Sequence, residues 1–183
     1  MTTELTQPTA LPLGPGRWEL DIAHSGVTFS IRHLGVSKIR GRFGDFDADV
    51  VIGDSLGTSS VSSTVAVASL DTGNADRDDH VLGPDLVDVA TRPTMTYRST
   101  SIVESGNDYR VEGELTIGDV TRPVGLDLGF GGIEEFFDGR RHAGFEATTQ
   151  IRRTDFGIGP DLPPGVLGDV IRIVLDLQLM EPR

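Results

Sequence analysis

Cysteine is absent from all 183 residues, which excludes disulfides, thiol catalysis and thiolate metal sites. Lysine is nearly absent too. Lys38 is the single one, and the cations number 16 against 28 Asp and Glu, a formal net charge of −12. Nucleic acid is bound through clustered Lys and Arg that release counterions from phosphate, so this balance argues against a nucleic-acid partner. Docking onto an anionic membrane is disfavoured for the same reason. No apolar run approaches the roughly 20 residues that span a bilayer, so stable membrane insertion is not expected. Met1-Thr2-Thr3-Glu4 carries neither the positive nor the apolar segment of a secretory signal, and the expectation drawn from it is a cytoplasmic protein. Aromatic residues make up only 6% of the chain. The core must then come from Val, Ile and Leu, and the β-branched members suit pleated strands.

What is present alternates with period two. Val27, Phe29, Ile31 and His33 share one strand face, with Thr28, Ser30 and Arg32 on the other. The pattern recurs at Ile39/Gly41/Phe43, Phe46/Ala48/Val50/Ile52, Tyr109 to Ile117, Val124 to Phe130, Ala143 to Ile151 and Ile171 to Leu179, with weaker candidates at 61–69 and 94–102. These segments predict an all-β domain of eight to ten short antiparallel strands. A sheet of this length with one apolar face closes into an eight-stranded barrel or folds into a sandwich, because open edges invite aggregation. The inward stripes mix bulky residues with Gly41, Ala48, Gly113, Ala143 and Ala147. Small residues there either leave a barrel partly hollow or simply ease its curvature.

Residues 71–89 break the pattern. Acidic residues gather where a helix would start and Gly83-Pro84 would stop it, so two helical turns are expected there. Residues 1–16, rich in Pro and Gly, predict a flexible N-terminal tail, with one domain over 17–183. The segments 131–143, containing Phe136-Phe137, and 157–169 are expected to be long loops.

His24, His33 and His80 fall in or beside element ends, and His80 shares its segment with Arg77 and Asp78. A polar cluster at a barrel mouth is one reading; a histidine satisfied by a carbonyl or carboxylate is the other. No H-x-H or H-x-x-x-H pair signals a metal, and neither G-x-S-x-G nor a phosphate loop occurs. Neither a resident cofactor nor catalysis is expected. Arg152-Arg153-Thr154-Asp155 reads as a solvated rim, an ion pair or an anion clamp.

Four ordered segments resemble the YceI-like family. They are Asp21-Ile22-Ala23-His24-Ser25 through Phe29 and His33, followed by Gly41-Arg42-Phe43; Arg77-Asp78-Asp79-His80; Gly113-Glu114-Leu115-Thr116-Ile117 through Val120-Thr121-Arg122-Pro123-Val124; and Arg153-Thr154-Asp155-Phe156-Gly157-Ile158. Asp119 stands where glycine is common in that pattern. The resemblance implies a lipocalin-like antiparallel barrel enclosing a long apolar ligand of polyisoprenoid, isoprenoid-quinone or fatty-amide type, often as a homodimer. Carried onto matching positions, it implies head-group contacts from His24, His33, Arg77, Asp78 and His80, and from Arg153 and Asp155. The inward stripes would line the tail with Val27, Phe29, Ile31, Phe43, Phe46, Leu115, Phe145 and Ile173. A dry barrel gains about 0.8 kcal/mol per buried CH₂ before ordering costs. The charge of −12 opposes an anionic head unless arginines dominate locally, whereas a quinone or amide head avoids the conflict. The competing expectations are a histidine- or metal-dependent enzyme and a structural dimer with a packed interior.

Overall fold

The computed structural model describes residues 12–183. Eleven strands occur there: β1 Gly16–Leu20, β2 Gly26–His33, β3 Ser37–Phe43, β4 Phe46–Ile52, β5 Ser60–Ala66, β6 Leu70–Asp71, β7 Thr94–Ser105, β8 Asp108–Ile117, β9 Val120–Glu135, β10 Arg141–Arg152 and β11 Leu167–Met180. One α-helix, α1, spans Ala75–Leu82. Every strand pairing is antiparallel.

Eight strands close the barrel in the order β1-β4-β5-β7-β8-β9-β10-β11, and β1 pairs back onto β11. Closure leaves no free edge within the eight-strand ring; the edges that remain are those of β3 and β6. The seam is short, with Glu19 opposite Met180 and Leu20 opposite Leu179. Farther along the same edge of β11, β2 takes over from Gly26 opposite Asp176 to His33 opposite Leu167. β3 and then β6 extend this side, so β2, β3 and β6 form a three-stranded branch leaving the barrel at β11.

Several expectations change. The strands are fewer in breaks and longer than expected, reaching 16 residues in β9. β1 escapes the periodicity because it is only five residues long and buries only Trp18 below a tenth exposure. The segment 61–69 is part strand and part 3₁₀ turn, and the Phe136-Phe137 connection is a tight five-residue turn because β9 and β10 run up to it. Residues 1–11 of the expected tail lie outside the described residues. Its remainder is packed: Leu13 is 5% exposed, the Trp18 indole N–H donates to the Gly14 carbonyl at 2.9 Å, and β1 opens at Gly16. The helix stands where expected. Asn74 caps it by accepting from the Arg77 N–H at 2.9 Å, Asp76 and Asp78 occupy the first turn, and Gly83 ends it.

Two apolar clusters fill opposite parts of the barrel. One gathers Tyr97, Val111, Ile117, Val124, Ile151 and Phe156; the other gathers Leu13, Trp18, Val50, Ile52, Phe145 and Leu179. The small inward residues make room for aromatic rings. Gly113 lies directly beneath the Tyr97 ring and Gly41 beneath the Phe29 ring, so a Cβ at either place would collide with an aromatic side chain. Ala143 and Ala147 are fully packed, at 0% and 1% exposure. Their smallness makes room for neighbouring rings, such as Phe130 and Phe145 at 5.2 Å, rather than leaving a hollow.

Candidate functional site

The branch β2–β3 and its neighbour β11 present a third inward apolar surface. Register places Phe29 opposite Ile173 on one side and Gly41 on the other, and Val27 between Leu175 and Phe43. The alternate residues Thr28, Ser30 and Arg32 face the other way, which fixes Val27, Phe29 and Ile31 as inner. Phe29 and Phe43 stack at 5.5 Å in a tilted pair. Yet Val27, Phe29, Phe43 and Phe46 belong to neither packed cluster and remain half-buried, as does Leu175. Interior side chains that retain accessible surface are unfilled lining, in contrast to Trp18 and Phe156 at 1%.

A cleft of about 570 Å³ lies on the outward face of these strands, bordered by Thr28, Ser30, Arg40, Arg42, Arg172 and Val174, and is separate from the surface of Val27, Phe43 and Leu175. A second, of about 650 Å³, lies where β9 and β10 part. Their ladder ends at Asp127 opposite Thr148, although β9 begins at Val120 and β10 runs on to Arg152. Phe156, from the 3₁₀ turn Arg153–Phe156, enters the clustered core beside Val124 and Ile151 at the base of this second cleft. Both volumes fall within the ~300–1,000 Å³ of ordinary small-molecule sites.

The expected lining divides between filled and unfilled parts of the barrel. Val27, Phe29, Phe43 and Phe46 form the unpacked surface. Leu115 and Ile173 are half-buried beside the Tyr97 cluster, Phe145 belongs to the Trp18 cluster, and Ile31 is buried at 9%.

The polar residues expected near a head group fall in separate places. Arg77 and Asp78 meet around Thr72. The Arg77 side chain donates to the Thr72 hydroxyl and carbonyl, both at 2.8 Å, while Asp78 accepts from the Thr72 amide at 3.0 Å and its hydroxyl at 2.5 Å. Thr72 also adjoins the Phe29–Gly41 contact, so this polar knot stands at the edge of the unfilled lining. His33 ends β2, half-buried, and His80 is exposed on α1. His24 is elsewhere, exposed on the 3₁₀ turn Ile22–His24 and hydrogen-bonded to Asp21 at 2.8 Å. Among the described residues no three His, Cys, Asp or Glu side chains gather as metal ligands, so His24, His33 and His80 do not form a common centre. Asp155 is exposed at the β9–β10 cleft.

Arg153 requires a correction. It is 0% exposed, and its five N–H groups donate to the carbonyls of Ile158, Gly159, Leu162, Leu167 and Gly168. A guanidinium has five donors, so none is left for a ligand. Arg153 holds the 157–168 connection in place instead.

His142 escaped the sequence reading, because only the tertiary fold gives it partners. Gln178 donates its amide to His142 Nδ1 at 2.9 Å, leaving Nε2 to face the Asp138 carboxylate at 3.2 Å, and Gln178 also reaches Asp21 at 3.2 Å. A polar chain thus links Asp138, His142, Gln178, Asp21 and His24. Burial raises the Asp21 carboxyl, but the His24 hydrogen bond and charge, with the Ala23 and His24 amides, hold it below its ordinary value.

The match to known proteins extends over the domain. Residues 18–179 match the YceI-like domain. Protein YceI of Escherichia coli is 37% identical over 142 residues, covering 77% of this chain and 74% of that protein. A UPF0312 protein of Vibrio cholerae is 37% identical over 138 residues, covering 74% and 73%. Burkholderia cenocepacia BcnA superposes with a TM-score of 0.78 at 26% identity, covering 87% of this chain and 99% of that one. A polyisoprenoid binding domain from Saccharophagus degradans shares the fold at a TM-score of 0.67 and 14% identity, covering 90% and 98%. By sequence over nearly the whole domain and by the closed eight-strand barrel, the chain belongs to the YceI-like family.

Proposed function

We propose that this protein is a carrier that holds a long apolar amphiphile, of isoprenoid, isoprenoid-quinone or fatty-amide type, against the inner apolar face that the β2–β3 branch shares with strand β11 of the barrel. The observation that carries the reading is the inner face of β2–β3 and β11, where Val27, Phe29, Phe43, Phe46 and Leu175 stay half-buried and outside both packed clusters. A hydrocarbon tail covering these side chains removes apolar surface from water on both partners, at roughly 25 cal/mol per Å² before ordering costs. The Arg77–Thr72–Asp78 knot supplies polar groups at the border of that surface, which suits an uncharged quinone or amide head. Holding a ligand requires no chemical step.

Native mass spectrometry of the purified chain, followed by organic extraction of the retained mass, tests the reading. One long-chain species per subunit supports it. A chain that purifies empty and binds no polyprenol, quinone or fatty amide in fluorescence titration overturns it.

A further inference from the structure

The β2–β3 hairpin is charged oppositely to the rest of the molecule. Residues 26–43 contain Arg32, Lys38, Arg40 and Arg42 and no Asp or Glu, although the chain has 28 acids against 16 cations. Pairing gathers these cations on one outer face: Arg32 stands opposite Lys38, Arg40 opposite Ser30, and Ser30 in turn opposite Arg172 of β11. Arg42 is held by Asp71 at 2.9 Å. Arg32, Lys38, Arg40 and Arg172 are exposed and have no ion-pair partner among the described residues.

The tip of the same hairpin is apolar. Leu34 is 54% exposed and Val36 80% exposed. Leu34 has a φ of 51°, a left-handed conformation unfavourable for a branched side chain in which Asn or Gly would rest more easily. Its N–H donates to the Val166 carbonyl at 2.9 Å, which brings a third exposed aliphatic residue, 41% exposed, beside the tip. Val170, 45% exposed, follows on β11. Aliphatic side chains at the end of a hairpin, flanked by unpaired cations, match the layering of an anionic bilayer surface: hydrocarbon below, phosphate above. The other exposed apolar turn, Phe136-Phe137, has Glu134, Glu135 and Asp138 around it and is repelled by such a surface.

From this geometry we infer that the β2–β3 hairpin is a docking surface for anionic lipid bilayers. It inserts Leu34 and Val36 at the headgroup boundary, while Arg32, Lys38, Arg40 and Arg172 contact lipid phosphates. Net charge hides this surface because most acids lie elsewhere; the nearest are Asp71, which is paired with Arg42, and Asp176, four residues beyond Arg172 on β11. A spread of aliphatic tips favours a bilayer over nucleic acid, whose bases call for aromatic stacking partners that this hairpin does not expose.

The experiment is co-sedimentation of the full chain with vesicles of phosphatidylcholine alone, or with about a third phosphatidylglycerol, at low and high salt. Binding to the anionic vesicles alone, lost in salt, supports the surface. Each cation near an anionic leaflet is worth about fivefold, so Arg32→Gln with Lys38→Gln weakens binding at least tenfold. Leu34→Asn with Val36→Ser also weakens it, and the Asn relieves the left-handed strain, so the fold is retained. Circular dichroism and a quinone-binding titration unchanged in both variants separate docking from the barrel's cargo. The inference is overturned by wild-type protein that ignores anionic vesicles, by equal binding to neutral ones, by variants that bind as the wild type does, or by capture on RNA without capture on vesicles.

Discussion

The two sides of this barrel are built from the same alternation and end in different physical states. On the side of β7 to β10, inward residues interlock: Gly113 receives the Tyr97 ring, and Val124, Ile151 and Phe156 fall to a tenth exposure or less. On the branch of β2 and β3, Phe29 packs on Phe43 and over Gly41, while the remaining surface of both rings meets no packed cluster. Side chains on the first side have finished their packing within the chain; those on the second are available to something else. Period-two patterning cannot distinguish these outcomes, because both place apolar residues inward.

The comparison can be broken most forcefully at Arg153. Arg153→Leu leaves five carbonyls without their donor and should cost about 4 kcal/mol or more, with new proteolytic cleavage within 157–166. A variant that unfolds in urea within ~1 kcal/mol of the wild type would show the connection ordered by something else. Phe156→Ala should cost about 3–5 kcal/mol in the same measurement, as expected for an aromatic side chain removed from a filled cluster. Phe29→Ala sharpens the contrast. It should cost less than Phe156→Ala, since its ring lies outside both packed clusters and keeps accessible surface, but should raise the dissociation constant for a long-chain quinone severalfold. A loss comparable to that of Phe156 would mean that the branch is ordinary packed core.

The smallest effect concerns pH. Burial, reinforced by the Glu112 charge, pushes the Tyr97 phenol up to about 12. Its hydroxyl donates to the Val124 carbonyl at 3.0 Å, a bond that ionisation destroys. A group whose folded pKa is raised contributes stability that is fully present below its unfolded value near 10 and is lost as pH climbs toward 12. Ultraviolet titration of the two tyrosines should therefore show one ionising near pH 12, with unfolding beginning in that window. Tyr97→Phe should remove the late step.

Strands with sustained alternation were legible, as were the helix at Ala75–Leu82, through its Asn cap and acidic first turn, and the YceI-like barrel, through its ordered motifs. Features set by distant partners were not. Arg153 resembles a rim cation in sequence because nothing local announces five carbonyls turning toward it. Leu13, in a Pro/Gly-rich segment, gives no sign that it packs against the Trp18 cluster. His142 becomes part of a polar chain only when β11 brings Gln178 beside it. The gathering of cations on β2, β3 and β11 is half legible: the acid-free stretch 26–43 is visible in sequence, whereas the contribution of Arg172 waits on strand register.

The seam between β1 and β11 has a consequence for the order of folding. The carbonyls around Arg153 lie 5 to 15 residues from it, so that cage closes over a short loop. The seam joins Leu20 to Leu179 across nearly the whole chain, for only two registered pairs. Loop-closure entropy makes such a contact costly until the intervening strands have already brought its ends together. The barrel should therefore form as an open sheet and shut at this seam last, and hydrogen exchange should find the same seam the first to reopen.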